Sequence, residues 1–290
     1  MPPQSKPLPS CRFALVVFLF VVQGVWAQSP PPASNARILL LPRKLVSGER
    51  ATLAVLDVSG RLTPDVTVEF TNGDKLTTDA TGRALFVAPL HIDKISAAIK
   101  GRPGRVSSVI VSAADSPSAT QEVSQVPRVA SLSDRLEIAG HGFCGDADAN
   151  HVTIGGFPAL VLASSPAYLA VLPPEQMHAG PAQVQVSCGQ KTSPAFTLTF
   201  VALELEASDA PLALGEHRAV TVRVKGSTRK VNLEARNLAA DVAELEGGNA
   251  VRALSSGGQT NTAKFELIGK QRGSFIISIR LVSPIGAPHP

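Results

Sequence analysis

Apolar and polar residues alternate in short runs along most of this chain. Val66, Val68 and Phe70 fall on one side of such a run, with polar residues between them. Because side chains on a strand point alternately to opposite faces, this period of two predicts a half-buried strand. The same period recurs near the C-terminus, at Phe275, Ile277, Ile279 and Leu281. The chain is therefore predicted to consist mainly of β-strands.

Glycine-containing turn sequences separate these runs. Asn72-Gly73 is typical of a two-residue hairpin turn, and Gly247-Gly248 is a similar signal later in the chain. Residues 238–246 leave two interpretations open, a short turn of helix or two strands separated by a bend. Several short strands at regular spacing predict β-sandwiches.

Residues 136–162 carry the most specific pattern in the chain. Strand, glycine bend, polar loop and second strand follow one another as Leu136-x-Ile138, Gly140-x-Gly142-Phe143, Asn150-x-Val152-x-Ile154-Gly155-Gly156 and Pro158-Ala159. This order resembles the IPT/TIG domain, an immunoglobulin-like module, and the resemblance covers about residues 127–200. It implies a β-sandwich that serves as a recognition or spacing unit, and it does not identify the binding partner.

The segment before this module has a different pattern of strands and turn residues. Its signals are, in order, Gly48, Leu53-x-Val55, Asp57-x-x-Gly60, Val66-x-Val68-x-Phe70 and Thr78-Asp79-x-x-Gly82-x-Ala84. They resemble bacterial immunoglobulin-like domains of the invasin and intimin type over residues 37–113, which implies a rigid spacer of the kind found in surface adhesins. The residues from Val201 onward resemble no particular family and are assigned by their alternation alone.

Together these patterns predict an all-β fold of three tandem immunoglobulin-like β-sandwich domains, arranged as separate beads on a string. The predicted boundaries are a signal peptide at residues 1–27, a Pro/Ser-rich tether at 28–36, a first sandwich at 37–114, a linker at 115–126, the IPT/TIG domain at 127–200 and a third sandwich at 201–290.

The N-terminal segment has the features of a secretory signal. Lys6 and Arg12 precede an apolar run from Phe13 to Val22, and Val25-Trp26-Ala27 supplies small residues at the expected cleavage positions. A membrane anchor is the alternative, but a spanning helix needs about 20 apolar residues. We therefore expect cleavage after Ala27 and no transmembrane anchor in the mature protein, which would be secreted, periplasmic or at the cell surface.

Two cysteines, Cys144 and Cys188, belong to the predicted mature chain. An even pair in an exported protein usually forms a disulfide, and Cys188 continues the inward parity of the strand before it. We predict the disulfide, with two buried free thiols as the alternative. A nucleophile formed with His141 or His151 would need an accessible thiolate and a third, orienting group.

The loop around Asp146, Asp148 and Asn150 imitates the first half of a calcium loop, in which alternate side chains supply oxygen ligands. An EF-hand loop also needs a glycine and a bidentate glutamate where this chain has His151 and Phe157. A solvated loop is therefore favoured, with a weak calcium site as the alternative. Together with His141 and His151, these side chains form the predicted partner-binding loop. No metal and no cofactor is predicted.

Charge and aromatic content narrow the class of partner. The formal charge of +4 falls to +2 without Lys6 and Arg12, because residues 1–27 contain no acidic residue. The other basic residues are expected to lie singly on solvated faces, as at Arg223, Lys225, Arg229 and Lys230. Nucleic acid is therefore not a predicted partner. With Tyr168 as the only tyrosine and Trp26 in the signal, an aromatic platform for sugars can hardly form.

The chain shows no nucleophile elbow, phosphate-binding loop or paired carboxylates in an apolar setting. We therefore predict an exported non-catalytic protein that acts in cell-envelope adhesion, spacing or protein–protein assembly. Its partner would be a protein or another envelope macromolecule, contacted at the partner-binding loop and near Pro173-Pro174. The alternative is an accessory carbohydrate-binding module or subunit of an exported polysaccharide-active system. Oligomeric state has no signature in the sequence.

Overall fold

The computed structural model describes residues 37–113, 121–206, 212–237, 241–273 and 275–282. The predicted signal peptide and tether lie outside the described residues, as does the part of the predicted linker at 115–120. The described ranges contain β-strands and no α-helix, which confirms the predicted all-β class. A helix long and apolar enough to cross a membrane is likewise not found in these ranges.

The first group of strands forms two facing sheets. Its members are β1 (Arg37–Leu40), β2 (Lys44–Val46), β3 (Arg50–Asp57), β4 (Thr67–Phe70), β5 (Lys75–Thr77), β6 (Arg83–Val87), β7 (Lys94–Ile99) and β8 (Val106–Val111). The sheets are β1-β3-β6 and β2-β8-β7-β4-β5, and β2 runs parallel to β8. Val68 and Phe70 on β4 point into the core between them, as the alternation predicts. Leu45, Leu53 and Ile95 are the largest of the fully buried side chains there.

The second group continues directly from Gln121. Its strands are β9 (Glu122–Gln125), β10 (Val129–Ser131), β11 (Leu136–His141), β12 (Asn150–Ile154), β13 (Phe157–Ser165), β14 (Tyr168–Leu172), β15 (Gly180–Cys188) and β16 (Lys191–Thr192). β9 occupies the end of the segment for which a linker is predicted, but it pairs with β11 and is part of the sheet. Strand β13 pairs with β12 through its first residues and with β14 through its last. It therefore connects the sheet that contains β9, β11 and β14 with the sheet that contains β12 and β15.

The third group begins inside a strand that it shares with the second. Its strands are β17 (Phe196–Glu206), β18 (His217–Lys225), β19 (Asn232–Asn237), β20 (Ala243–Leu245), β21 (Ala250–Leu254), β22 (Thr262–Gly269) and β23 (Ile277–Leu281). They form the sheets β20-β22-β18-β17 and β21-β19-β23 around a core of their own. The described part of residues 238–246 therefore contains strand β20 and no helix, while 238–240 lie outside the described residues.

Strand β17 joins the second and third groups without a linker. Its first half pairs with β15 and, in parallel, with β10, and its second half pairs with β18. Val201, at the changeover, is completely buried. The turn after β18 presses against this strand, because a Cβ added at Gly226 would lie 2.5 Å from the Phe200 carbonyl oxygen. The bead-on-a-string arrangement is therefore wrong at this boundary.

The close approach at Gly226 predicts the effect of a single methyl group. Gly226 has φ +90°, so Gly226→Ala combines an unfavourable backbone conformation with a clash against the second group. Gly156→Ala is the matched control, since φ there is +86° and nothing lies within 4 Å of the added Cβ. We expect Gly226→Ala to lower the free energy of unfolding by about 1–3 kcal/mol more than the control, measured by urea denaturation. Equal losses would contradict the tight junction.

Candidate functional site

A buried apolar cluster connects the first and second groups of strands. Its buried members come from the outer faces of β1, β3, β13 and β14: Leu40, Ala54, Leu56, Leu162, Ala163, Tyr168 and Ala170. Strand β3 is consequently buried on both faces, because Leu53 and Val55 point into the first core while Ala54 and Leu56 point into this cluster. The sequence signal is the unbroken apolar run 53–56, which differs from the alternation of a half-buried strand. We call this region the junction.

The predicted partner-binding loop lies on the junction. The Thr52 hydroxyl donates to the Gly145 carbonyl oxygen at 2.8 Å and accepts from the Ala147 amide at 3.1 Å. Ser164 donates to the same carbonyl at 2.8 Å. A Cβ at Gly145 would lie 2.0 Å from the Arg50 carbonyl oxygen, so only glycine permits this approach. Much of the loop is thus occupied by the first group of strands.

Arg83 extends this contact on the other side of the loop. Its side chain is 7% exposed and donates to the Asp148 carboxylate at 2.8 Å and to the Val161 carbonyl oxygen at 2.6 Å. Asp148 itself is 71% exposed. The carboxylate therefore provides a counter-charge for a buried guanidinium, and the surrounding water limits the strength of the pair.

Asn150 holds the shape of the loop from within. Its side-chain oxygen accepts from the Cys144 amide at 2.9 Å, and its nitrogen donates to the carbonyl oxygens of Cys144 and Asp146 at 2.9 and 2.8 Å. The Asp146 carboxylate accepts from the Asp148 amide at 3.1 Å. These oxygens serve the backbone, and the described ranges contain no group of three or more His, Cys, Asp or Glu placed to hold a metal.

The remaining predicted residues differ in accessibility. His151 is exposed on β12, while His141 is half-buried and lies 3.2 Å from a Glu122 carboxylate oxygen. Pro173 is buried and Pro174 half-buried, so this pair offers little contact surface. The structure therefore divides the predicted loop into exposed members and members used internally.

Cys144 and Cys188 form the predicted disulfide, with their Cα atoms 5.7 Å apart. This leaves no thiolate for the nucleophile that the sequence left open. An open cleft of about 590 Å³ lies beside the bond, between Val46 and Glu49 of the first group and Phe143 and Lys191 of the second.

Tyr168 belongs to the junction cluster and is 6% exposed. Burial raises the pKa of its phenol, with the neighbouring Glu137 charge as a further cause. The only tyrosine of the chain is thus an interior residue of the junction, and its ring is not presented for stacking on a ligand.

A second polar site, which sequence reasoning missed, lies on the sheet β21-β19-β23. Glu234 on β19 is 3% exposed because three guanidinium groups cover it, and we call Arg236, Arg252 and Arg280 the arginine cluster. Arg236 donates from Nε at 2.5 Å, Arg252 from Nε at 3.0 Å and Arg280 from Nη2 at 2.6 Å. Hydrogen bonds from Arg236, Arg252 and Arg280 lower the pKa of Glu234 to about 2.

The arginine cluster corrects the expectation that basic residues lie singly on solvated faces. Arg252 and Arg280 are opposite Glu234 on the two neighbouring strands, and Arg236 follows two residues later on the same face. The alternation of side chains along each strand places all four on the outer face of the sheet. Arg252 and Arg280 are 18 and 46 residues from Glu234 in the sequence, so only the pairing register of the three strands brings them together.

Comparison with known proteins identifies one part of the chain. Residues 123–200 match the family model of the IPT/TIG domain, which confirms the resemblance in this region. The match begins within β9, in agreement with the pairing of that strand. The resemblance of the first group to invasin-type domains has no such match and stays a prediction. No curated protein is similar enough to be called a relative.

Similar solved structures include the S-layer protein rSbsC(31-844), at 15% identity and TM-score 0.22, covering 87% of this chain and 39% of that one. A second is the SGBP-B protein of a Bacteroides ovatus mixed-linkage glucan utilization locus, solved with a heptasaccharide, at 11% identity and TM-score 0.31, covering 88% and 76%. The plexin A4 extracellular region gives 9% identity and TM-score 0.33, covering 87% and 29%. Values this low assign no function to the chain.

The junction predicts the effect of removing one hydroxyl. Thr52→Val keeps the shape of the side chain but leaves the buried Ala147 amide without its acceptor. We expect the free energy of unfolding to fall by about 1–3 kcal/mol, measured by urea denaturation. Thr153→Val, on the exposed face of β12, is the matched control and should be nearly neutral. An equally small change in both variants would show that the loop does not depend on Thr52.

The arginine cluster predicts a dependence of stability on pH. The folded-state pKa of Glu234, about 2, lies below its ordinary value of 4.5, so its stabilising contribution is complete above about pH 4.5 and is lost as the pH falls towards 2. Glu234→Gln should therefore destabilise the protein at neutral pH, with a difference from wild type that shrinks between these pH values. Urea denaturation across the range measures this difference. Glu204→Gln, which removes a carboxylate paired with Lys225 alone, is the control and should cost less. A pH-independent difference would contradict the lowered pKa.

Proposed function

We propose that this protein is an exported, non-catalytic modular protein that acts in cell-envelope adhesion, spacing or protein–protein assembly. The observation that carries the proposal is that, in the described residues, neighbouring groups of strands pack directly against each other or share a strand. The junction fixes the first group to the second, and strand β17 continues from the second into the third. A scaffold of this kind presents its loops in fixed positions, so less conformational freedom is lost on binding.

Export is proposed from the N-terminal signal, with cleavage after Ala27 and a mature terminus at Gln28. The disulfide supports this location, because such bonds persist in oxidising compartments. The mature protein would be secreted, periplasmic or at the cell surface. Its partner would be a protein or another envelope macromolecule.

The partner surface proposed here is the exposed part of the predicted loop. Asp146 and His151 are exposed, and His141 is half-buried. Asp148 is exposed but committed to Arg83, and Asn150 is buried in the loop. A binding partner would therefore contact Asp146 and His151 first.

An accessory carbohydrate-binding role is the second candidate. Burial of Tyr168 counts against recognition of neutral sugars by aromatic stacking. Protein–protein contact through the exposed loop therefore has the stronger support.

In-cell photocrosslinking tests this proposal. A photoreactive residue replaces His151 in the full-length protein, and the same residue replaces His217, which is also an exposed histidine on a strand. We expect the His151 position to capture one reproducible envelope protein, identified by mass spectrometry, and the His217 position to capture it at least about tenfold less. Asp146→Asn keeps an acceptor for the Asp148 amide but removes the charge, and it should weaken the capture because hydrogen bonds to charged groups typically contribute about 1.5–3 kcal/mol.

Two results would overturn the proposal. One is equal capture from both positions. The other is saturable hydrolytic activity of the purified protein that disappears on changing one polar side chain without unfolding.

A further inference from the structure

The arginine cluster is arranged to bind more than the glutamate at its centre. It carries three positive charges around one carboxylate, and its side chains are 51%, 68% and 45% exposed for Arg236, Arg252 and Arg280. Each guanidinium has five N–H donors, whereas Glu234 accepts from only one or two of them per arginine. Most of the donors, and two units of positive charge, are therefore available to an external anion.

Glu234 positions these donors. A guanidinium held at its Nε by a carboxylate has its planar fork restrained, so less rotamer freedom is lost when the fork meets a second anion. Arg252 and Arg280 occupy strands on either side of β19, which places their Cα atoms roughly 10 Å apart, twice the spacing of adjacent strands. The three side chains thus start from three adjacent strands and converge on the Glu234 carboxylate.

We propose that this face binds an acidic polysaccharide whose carboxylate groups pair with the arginine cluster. Two units of surplus positive charge suit a polymer with repeated anionic groups, because each arginine keeps N–H groups that can form a bidentate contact with a separate carboxylate. The exposed Asn232 and Ser278 on the same face offer hydrogen bonds to hydroxyl groups of such a chain. The outward residues of β19, β21 and β23 include no aromatic ring on which nucleic-acid bases could stack.

This site is separate from the partner-binding loop of the proposed function, so the two proposals can fail independently. The first rests on Asp146 and His151 in the second group of strands, and this one on β19, β21 and β23 in the third. Capture of a protein from the His151 position should be unchanged when the arginine cluster is altered.

Titration with polygalacturonate tests the site, using the mature chain and neutral dextran of similar length as the uncharged polymer. We expect saturable binding to polygalacturonate, weakened by added salt, and none to dextran. Arg252→Gln/Arg280→Gln should weaken binding at least about tenfold, since two charge-assisted contacts are lost. The control Lys225→Gln/Lys270→Gln removes the same charge from two other ion pairs of the third group and should change affinity less than about twofold.

A further variant keeps the test informative if the glutamine variant unfolds. Arg252→Lys/Arg280→Lys retains the charge but not the planar fork, and should bind several-fold more weakly than wild type with a similar melting temperature. Absence of saturable binding to polygalacturonate, or equal weakening in the glutamine variant and its lysine control, would overturn the site. Tighter binding of poly-glutamate or duplex DNA with the same dependence on Arg252 and Arg280 would overturn the choice of ligand.

Discussion

Strand β3 is buried on both faces, and the arrangement of the first two groups of strands depends on this. A strand that fills only its own sandwich leaves its outer face to water, whereas Ala54 and Leu56 cover the strands of the IPT/TIG region. Buried backbone groups near such a face need partners, which Thr52 and Ser164 provide for the loop at Gly145. The loop that would ordinarily be free for recognition is therefore partly used to hold the protein together.

Each of the two polar sites buries one partner of an ion pair, but the buried partner has the opposite charge in the two sites. At the junction a guanidinium, Arg83, is buried and its carboxylate partner Asp148 is in water. On the sheet β21-β19-β23 the carboxylate of Glu234 is covered and the guanidinium groups are in water. The covered charge cannot lose its partners without a large desolvation penalty, so each site constrains the side chains around it. Only the second arrangement leaves surplus charge facing outward.

Local patterns predicted the elements better than their contacts. Alternation located strands such as β4 and β23, and the glycine pattern after Leu136 identified the IPT/TIG region. The inward position of Cys188 on its strand, together with the predicted export of the protein, identified the disulfide. Contacts between distant strands were missed, because the alternation rule treats each sandwich as separate. The apolar run at 53–56 was a sequence signal for the junction. The pairing register that brings Arg236, Arg252 and Arg280 together leaves no signal in the sequence of any single strand.

The parallel pairs near the ends of the first two groups would govern how the protein responds to a pulling force. Strand β2 runs parallel to β8, and β10 runs parallel to β17. Tension that draws the two strands of such a pair apart along the chain acts along their length, so the hydrogen bonds between them resist together instead of opening one after another. Since β17 continues into the third group, a force would pass from the second group to the third through a hydrogen-bonded strand and not through an unpaired loop. The disulfide excludes the 43 residues between Cys144 and Cys188, at a separation of 44, from any extension under load.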